Sequence, residues 1–400
     1  MNIRNILFSL AAVCTCTVVA FAQENTEKIR ITHGPYLQNV RENEATIVWV
    51  SNKPCLGWVE IKEENDEDFY HAALDKHYDT VIGIKKESSI HSVRITGLKP
   101  GTEYRYRVYS QEILARNGHR VFYGDIAATK AFKAPLPKFS TCDPNKENVR
   151  FVMVNDIHGN SERLADLLEK SNAKKSDMVL FVGDMSSNCN SESQVFKDFM
   201  DTAVEKFAQS VPMYYTRGNH ETRGAIAARF QEYFSPKSEH LYYMYRQGPV
   251  CFVALDCGED KADSDIEYYG ANAYDEYRSE QVEWLKKVIQ SDEYRNAPFK
   301  VITCHMPPGE LWDKSNGKGG WHGGVEISRK FMPVLRESGA DVMLCAHLHA
   351  LKTCEKGGLA PFPIISNASN TALIGEAGKD TLKIKIIDQS GNIVYSTEIR

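Results

Sequence analysis

Hydrophobic and polar positions change rhythm once along this chain. Before about residue 130 they alternate with period two. Ala45-Thr46-Ile47-Val48-Trp49-Val50 and Val93-Arg94-Ile95 are β-branched and aromatic runs. In Tyr104-Arg105-Tyr106-Arg107-Val108 the two tyrosines and Val108 share one face and the arginines the other. A turn cluster, Gly97-Leu98-Lys99-Pro100-Gly101-Thr102-Glu103, leads into that strand. The pattern predicts an all-β sandwich over 23–132. Residues 133–149 are rich in Pro and Lys without periodicity and read as a linker. From 150 onward short apolar runs alternate with helical stripes, such as Leu164, Leu167 and Leu168, or Val282, Leu285, Val288 and Ile289. Strand–helix alternation over 250 residues predicts an α/β layered domain at 150–400. Two strands at 381–387 and 392–399, around Ser390-Gly391-Asn392, read as a hairpin at a sheet edge.

The first 22 residues stand apart. They carry one charge, Arg4, then a short apolar run from Ile6 to Ala20, and close with Ala20-Phe21-Ala22. A basic start, an apolar core and small residues at a cleavage site predict a secretory signal, and hence a secreted or periplasmic mature chain. No later stretch is long and apolar enough for a membrane span.

Composition then narrows the function classes. Lys+Arg of 48 against Asp+Glu of 53 gives a formal charge of −5, which argues against nucleic acid as a partner. An apolar share of 42% excludes a wholly disordered chain. Of ten cysteines, Cys14 and Cys16 fall in the signal, and Cys251, Cys304 and Cys345 sit in apolar runs as small buried hydrophobes. Bridges involving Cys251 with Cys257, or Cys189 with a loop partner, stay open.

The chemistry gathers at five places, each at the C-terminal end of an apolar run. Phe151–Val154 leads to Asn155-Asp156-Ile157-His158-Gly159-Asn160, and Met178–Val182 to Gly183-Asp184. Val211–Tyr215 leads to Arg217-Gly218-Asn219-His220-Glu221, Phe299–Thr303 to Cys304-His305, and Asp341–Cys345 to Ala346-His347-Leu348-His349. Ligand sites of α/β sheets collect at such strand ends. Two divalent ions roughly 3.5–4 Å apart need a bridging carboxylate, terminal imidazoles and carboxylates, and open positions. The five motifs supply that set.

In this order the motifs resemble the calcineurin-like metallophosphoesterase superfamily. The Leu98-Lys99-Pro100-Gly101-Thr102-Glu103-Tyr104 corner and the strand with Trp49 resemble a fibronectin type III domain. A fibronectin-like domain in front of such motifs resembles the purple-acid-phosphatase-like branch. The resemblance implies a four-layer αββα sandwich behind the N-terminal β-sandwich. By position it implies a first metal held by Asp156, His158 and His349, a second held by Asn219, His305 and His347, and Asp184 bridging both. His220 is implied as the acid that protonates the leaving alcohol or contacts a phosphate oxygen. The implied reaction is hydrolysis of phosphate monoesters by a metal-bridging hydroxide, on a small-molecule phosphoester. The alternatives are a phosphodiesterase acting on nucleotides or phospholipid head groups, and a non-catalytic binding protein. Oxygen and imidazole ligands without thiolate admit iron, manganese or zinc.

The sequence departs from the family in three places. Purple acid phosphatases have a motif without His158, a metal-binding tyrosine where Ser187 stands here, and Gly where Ala346 stands. Without that tyrosine the implied enzyme is colourless. Substrate contacts are expected from Arg217, and from Trp321 and His322 in the glycine-rich loop after His305. Arg217 and Arg223 could each grip a phosphate oxygen through paired donors, with a helix surface the favoured place for Arg223; Glu221 reads as either a ligand-orienting or a surface charge, and 259–277 as a solvated excursion ending in a helix start.

Overall fold

The computed structural model describes residues 27–65, 69, 73–129, 135–234, 240–311 and 321–400. The expected signal at 1–22 and the loop positions 312–320 lie outside the described residues. No helix among the described residues is long and apolar enough to cross a membrane.

The N-terminal unit is a β-sandwich organised by one long strand, Glu44–Glu63. Its first part pairs with Ile31–Gln38 and Glu87–Thr96; its second part pairs with Glu103–Asn117 and Lys76–Tyr78. One strand thereby serves both layers. Between them lie Leu37, Ile47, Trp49, Val59, Val93, Tyr106 and Val108, all buried. The turn cluster closes as a tyrosine corner, in which the backbone N–H of Lys99 donates to the Tyr104 hydroxyl at 2.8 Å.

The segment expected as a linker is corrected in part. Lys138–Ser140 is a strand that pairs with Glu103–Asn117, and Phe139 is buried in the sandwich core. Two aromatic side chains outweigh the aperiodic sequence there: Phe139 packs on Tyr104 and Tyr106, with ring centres 6.0 and 5.9 Å apart. The sandwich therefore extends past residue 132.

Two six-stranded sheets build the second unit. One runs in the order Met213–Thr216, Met178–Val182, Val149–Val154, Thr371–Ala377, Leu382–Asp388, Ile393–Ile399. The other runs Tyr243–Gln247, Val250–Leu255, Phe299–Cys304, Val342–Cys345, Ile364–Ser366, Lys352–Cys354. The inner strands are parallel and apolar almost throughout, because both of their faces are covered. Phe151 and Phe252 meet edge to face at 5.2 Å and Tyr214 stacks on Tyr245 at 3.8 Å, which closes the space between the sheets. Helices cover the outer faces, so the layers follow the order αββα. Helix Ser161–Lys170 shows how: Asn160 caps its N-terminus by accepting from the Arg163 N–H at 3.0 Å, and Leu164, Leu167 and Leu168 are buried. The C-terminal hairpin lies at the sheet edge, with Ile393–Ile399 outermost.

Sandwich and layered unit share a core. Tyr36, Val48, Val50 and Ile90 pack with Phe196, Phe199 and Tyr233 of the layered unit. Tyr36 donates to the Tyr233 carbonyl at 3.0 Å and Tyr106 to the Gln209 carbonyl at 2.8 Å. All eight cysteines among the described residues are free thiols, seven of them buried, so neither open bridge forms.

Candidate metal centre

Five parallel strands, three from one sheet and two from the other, end on the same side. The chain leaves each strand abruptly. Asp156, His158, Asp184, His347 and His349 all have left-handed backbone, with φ of 50°, 49°, 54°, 70° and 53°. They are five of the nine non-glycine residues with positive φ among the described residues. Such conformations are costly for L-residues and collect at functional sites.

Interleaved backbone hydrogen bonds hold the turns together. The Asp156 N–H donates to the Gly183 carbonyl at 3.0 Å and the His158 N–H to the Asp184 carbonyl at 2.9 Å. Glu221, expected as either a ligand-orienting or a surface charge, is fully buried and organises the neighbouring loop. Its carboxylate accepts from the backbone N–H groups of Asp184, Met185, Ser186 and Gly218 at 2.7–3.2 Å. Gly183 and Gly218 are required there. A Cβ on Gly183, where φ is 78°, would lie 2.3 Å from His305 Nδ1.

Four of the candidate ligands, Asp156, Asp184, His305 and Asn219, are tethered by one polar atom and present the other. Asp156 Oδ2 accepts from Asn155 Nδ2 at 2.7 Å and from the His347 N–H at 3.0 Å, which leaves Oδ1. Asp184 Oδ1 accepts from the His220 N–H at 3.0 Å, which leaves Oδ2. His305 Nδ1 donates to the Val182 carbonyl at 2.8 Å, which fixes the tautomer and leaves Nε2. Asn219 Nδ2 donates to Asp260 at 3.2 Å, which leaves the amide oxygen. Asp156 Oδ1, Asn219 Oδ1 and His305 Nε2 are buried and make no hydrogen bond. Buried polar atoms are rarely left without a partner, and a bound cation would satisfy all three.

The presented atoms form two groups. Asp156, His158, Asp184 and His349 each place a ligand atom within 4.8 Å of one another, and so do Asp184, His305 and His347. Asp184 belongs to both. His158 Nε2 and His349 Nε2 face each other at 3.1 Å, and His305 Nε2 lies 3.1 Å from Asp184 Oδ2. Paired nitrogens and buried carboxylates at these separations fit two divalent cations sharing one carboxylate.

Electrostatics carry the same imprint. Burial alone would raise the Asp184 carboxyl, but His305, His220 and His347 hold it well below the usual carboxylate range. Burial favours neutral His305, yet Asp184 lifts its pKa well above that of an ordinary imidazole. His347 is pushed down to about 3, first by burial and then by His305. His349 is raised, chiefly by its contact with Asp156.

The remaining expected residues divide. His220 joins the centre: Nδ1 donates to the Ser187 carbonyl at 2.8 Å and Nε2 lies 4.0 Å from Asp184 Oδ2. Trp321 stands edge-on to His347, with ring centres 5.4 Å apart, and is half exposed. His322 is not brought in; it pairs with Asp275 at 2.7 Å. Arg217 is likewise diverted. Its guanidinium is buried against Asp256, at 2.8 and 3.2 Å, and lies over the Tyr274 ring. The solvated excursion is corrected at its start, where Glu259 and Asp260 are fully buried. Both lie beside Arg223, which faces the centre instead of a helix surface. Nothing in the sequence marked Glu259 and Asp260 as buried, since acidic residues before a helix read as solvated.

Comparison with known proteins agrees with this geometry. Residues 149–351 match the calcineurin-like phosphoesterase family, and residues 33–120 match the purple acid phosphatase N-terminal domain. Purple acid phosphatase 15 of Arabidopsis thaliana is 28% identical over 300 residues, covering 65% of this chain and 48% of that protein. A probable glycerophosphodiester phosphodiesterase of Arcobacter nitrofigilis is 25% identical over 194 residues, 47% of this chain and 62% of the relative. The chain spans about half the length of the first curated relatives it matches. Purple acid phosphatase PPD1 from yellow lupin (Lupinus luteus) seeds shares the fold, with a TM-score of 0.63 at 15% identity over 91% of this chain and 73% of that one. With just over half of its length matched by the catalytic family model, the chain belongs to the calcineurin-like phosphoesterase family, and it carries the N-terminal domain of purple acid phosphatases in front.

Proposed function

We propose that the protein is an exported dinuclear-metal phosphoesterase that hydrolyses phosphate monoesters. The observation that carries this reading is Asp184, whose carboxylate belongs to two separate groups of candidate ligands. Asp156, His158 and His349 would hold one cation, Asn219, His305 and His347 the other. Bound cations would supply Lewis-acid polarisation of the phosphoryl group and activation of water. The chain's own residues do the rest. Glu221 keeps the Asp184 loop in place, and Asp260 keeps the Asn219 amide oxygen turned inward. Since His220 Nδ1 donates to the Ser187 carbonyl, Nε2 is the ring nitrogen left to pass a proton to the leaving alcohol. Ser187 stands where coloured relatives have a tyrosine, which supports a colourless enzyme. The segment at 1–22 supports export.

A second reading, a phosphodiesterase, draws support from the Arcobacter nitrofigilis relative. Elemental analysis of the purified chain together with a mono- and diester panel tests both. We expect about two transition-metal ions per chain and a monoester rate at least about tenfold above the diester rate. Loss of both activities in a metal-loaded protein would falsify the proposal.

A further inference from the structure

Arg223 follows the short helical turn His220–Thr222 and is anchored from behind. Its Nε donates to Glu259 Oε2 at 2.8 Å, and its Nη2 to Glu259 Oε1 at 2.6 Å and to Asp260 Oδ1 at 3.2 Å. Glu259 is itself fixed: it is fully buried and also accepts from the Thr222 hydroxyl at 3.1 Å and the Asp260 N–H at 2.8 Å. A planar guanidinium gripped along one edge cannot turn. Its remaining nitrogen, Nη1, therefore points in one direction, toward His220 Nε2 at 3.4 Å. That same Nε2 lies 4.0 Å from Asp184 Oδ2. Two nitrogens thus converge on the rim of the centre, while Glu259 and Asp260 hold the arginine from behind.

Resting on the reading of this centre as a phosphoesterase, we infer that Arg223 binds the substrate phosphoryl group and sets a preference for monoesters. Nη1 donates to a non-bridging oxygen, beside His220 Nε2. A monoester dianion has three such oxygens and a diester has two. With two directed to the paired ligand groups, the third of a monoester accepts from Arg223 in a charge-assisted hydrogen bond. In a diester that third position carries an ester substituent, which accepts poorly and crowds the guanidinium. Arg217 is gripped along the same Nε–Nη2 edge, but by Asp256, and its guanidinium lies buried over the Tyr274 ring rather than beside His220.

The test compares wild type, Arg223→Met and Arg223→Lys on an aryl phosphate monoester and a bis-aryl diester. Inhibition by inorganic phosphate, metal content and thermal unfolding are measured alongside. We expect metal content to stay at the wild-type level. Monoester kcat/KM should fall about 100-fold in Arg223→Met, while diester kcat/KM changes less than about threefold. Inorganic phosphate should inhibit the variant at least about tenfold more weakly. Arg223→Lys, which keeps the charge but cannot grip Glu259 and reach the rim together, should retain diester activity and lose about tenfold on the monoester. It answers the question even if Arg223→Met does not fold. Parallel loss on both esters at full metal content overturns the assignment and makes Arg223 a scaffold for the loop. A metal-loaded wild type inactive on both esters overturns the underlying reading, and this assignment with it.

Discussion

His305 Nε2 lies 3.1 Å from Asp184 Oδ2, and the two residues come from different sheets. His305 follows strand Phe299–Cys304 and Asp184 follows Met178–Val182. The contact forms where the layers are pinned by hydrogen bonds on both sides. Thr216 and Thr303 link hydroxyls at 2.7 Å, and His305 donates to the Val182 carbonyl. A buried imidazole and a buried carboxylate at this separation require either a proton or a cation between them. The geometry of the candidate centre is thus a property of how the sheets pack.

Asp184→Asn removes the carboxylate that both ligand groups share. We expect phosphoester turnover to fall by at least about 1,000-fold, with loss of at least one bound ion per chain. Elemental analysis and far-UV circular dichroism on the same sample check this. Unchanged metal content in a folded variant would remove Asp184 from the bridging role.

His220→Ala should act through the leaving group. A poor leaving group needs its oxygen protonated as the bond breaks, whereas a nitrophenolate does not. An alkyl phosphate should therefore lose about 100-fold or more in kcat, and an aryl phosphate with an acidic phenol about tenfold or less. Equal losses on the two substrates would count against proton donation from Nε2.

Gly183→Ala tests the close approach of the two sheets. The added methyl would sit 2.3 Å from His305 Nδ1 and 2.6 Å from Gly218 Cα, at a φ of 78°. Both strain and displacement follow, at a cost of about 2–3 kcal/mol. Chemical denaturation should show that loss, and the purified variant should bind less metal. A variant as stable and as metal-rich as wild type would show that the loop can shift freely.

His91 predicts a pH dependence in the sandwich, away from the centre. Its ring is buried, stacks on Trp49 at 4.7 Å and faces Ser51 and Cys55 at 3.1 and 3.2 Å. Burial, with a smaller push from Lys86, lowers its pKa to about 4, against about 6.5 in an unfolded chain. Between those values the unfolded chain binds the proton and the folded chain does not. Stability is therefore full above about pH 6.5, falls as pH drops toward about 4, and levels off below, with a total loss of about 3 kcal/mol. His91→Gln should flatten the dependence of thermal unfolding on pH over this window. A slope identical to wild type would place the acid sensitivity elsewhere.

Much of this molecule is written locally. Alternation around Trp49 and Tyr106 specifies a half-buried strand, and the apolar runs before Asp156, Asp184, Asn219, His305 and His347 specify strands covered on both faces. A residue directly after such a run stands at a strand end, which marks the five motifs as a place for ligands; the family resemblance named the ligands among them. The fates of the charged residues were not legible in this way. Arg217 meets Asp256 across 39 positions, Arg223 meets Glu259 across 36, and Glu221 reaches back 37 to the Asp184 N–H. Each has the composition of a solvated residue, and only the assembled layers bury it and choose its partner. Lys138–Ser140 joins the sandwich for the same reason: its pairing strand begins 35 positions earlier, at Glu103. Periodicity acts between neighbours and determined the elements, at whose ends the ligand-type residues stand. Burial and charge pairing act between segments that meet only when folded, and these decided which arginine faces the centre and how its carboxylates are held.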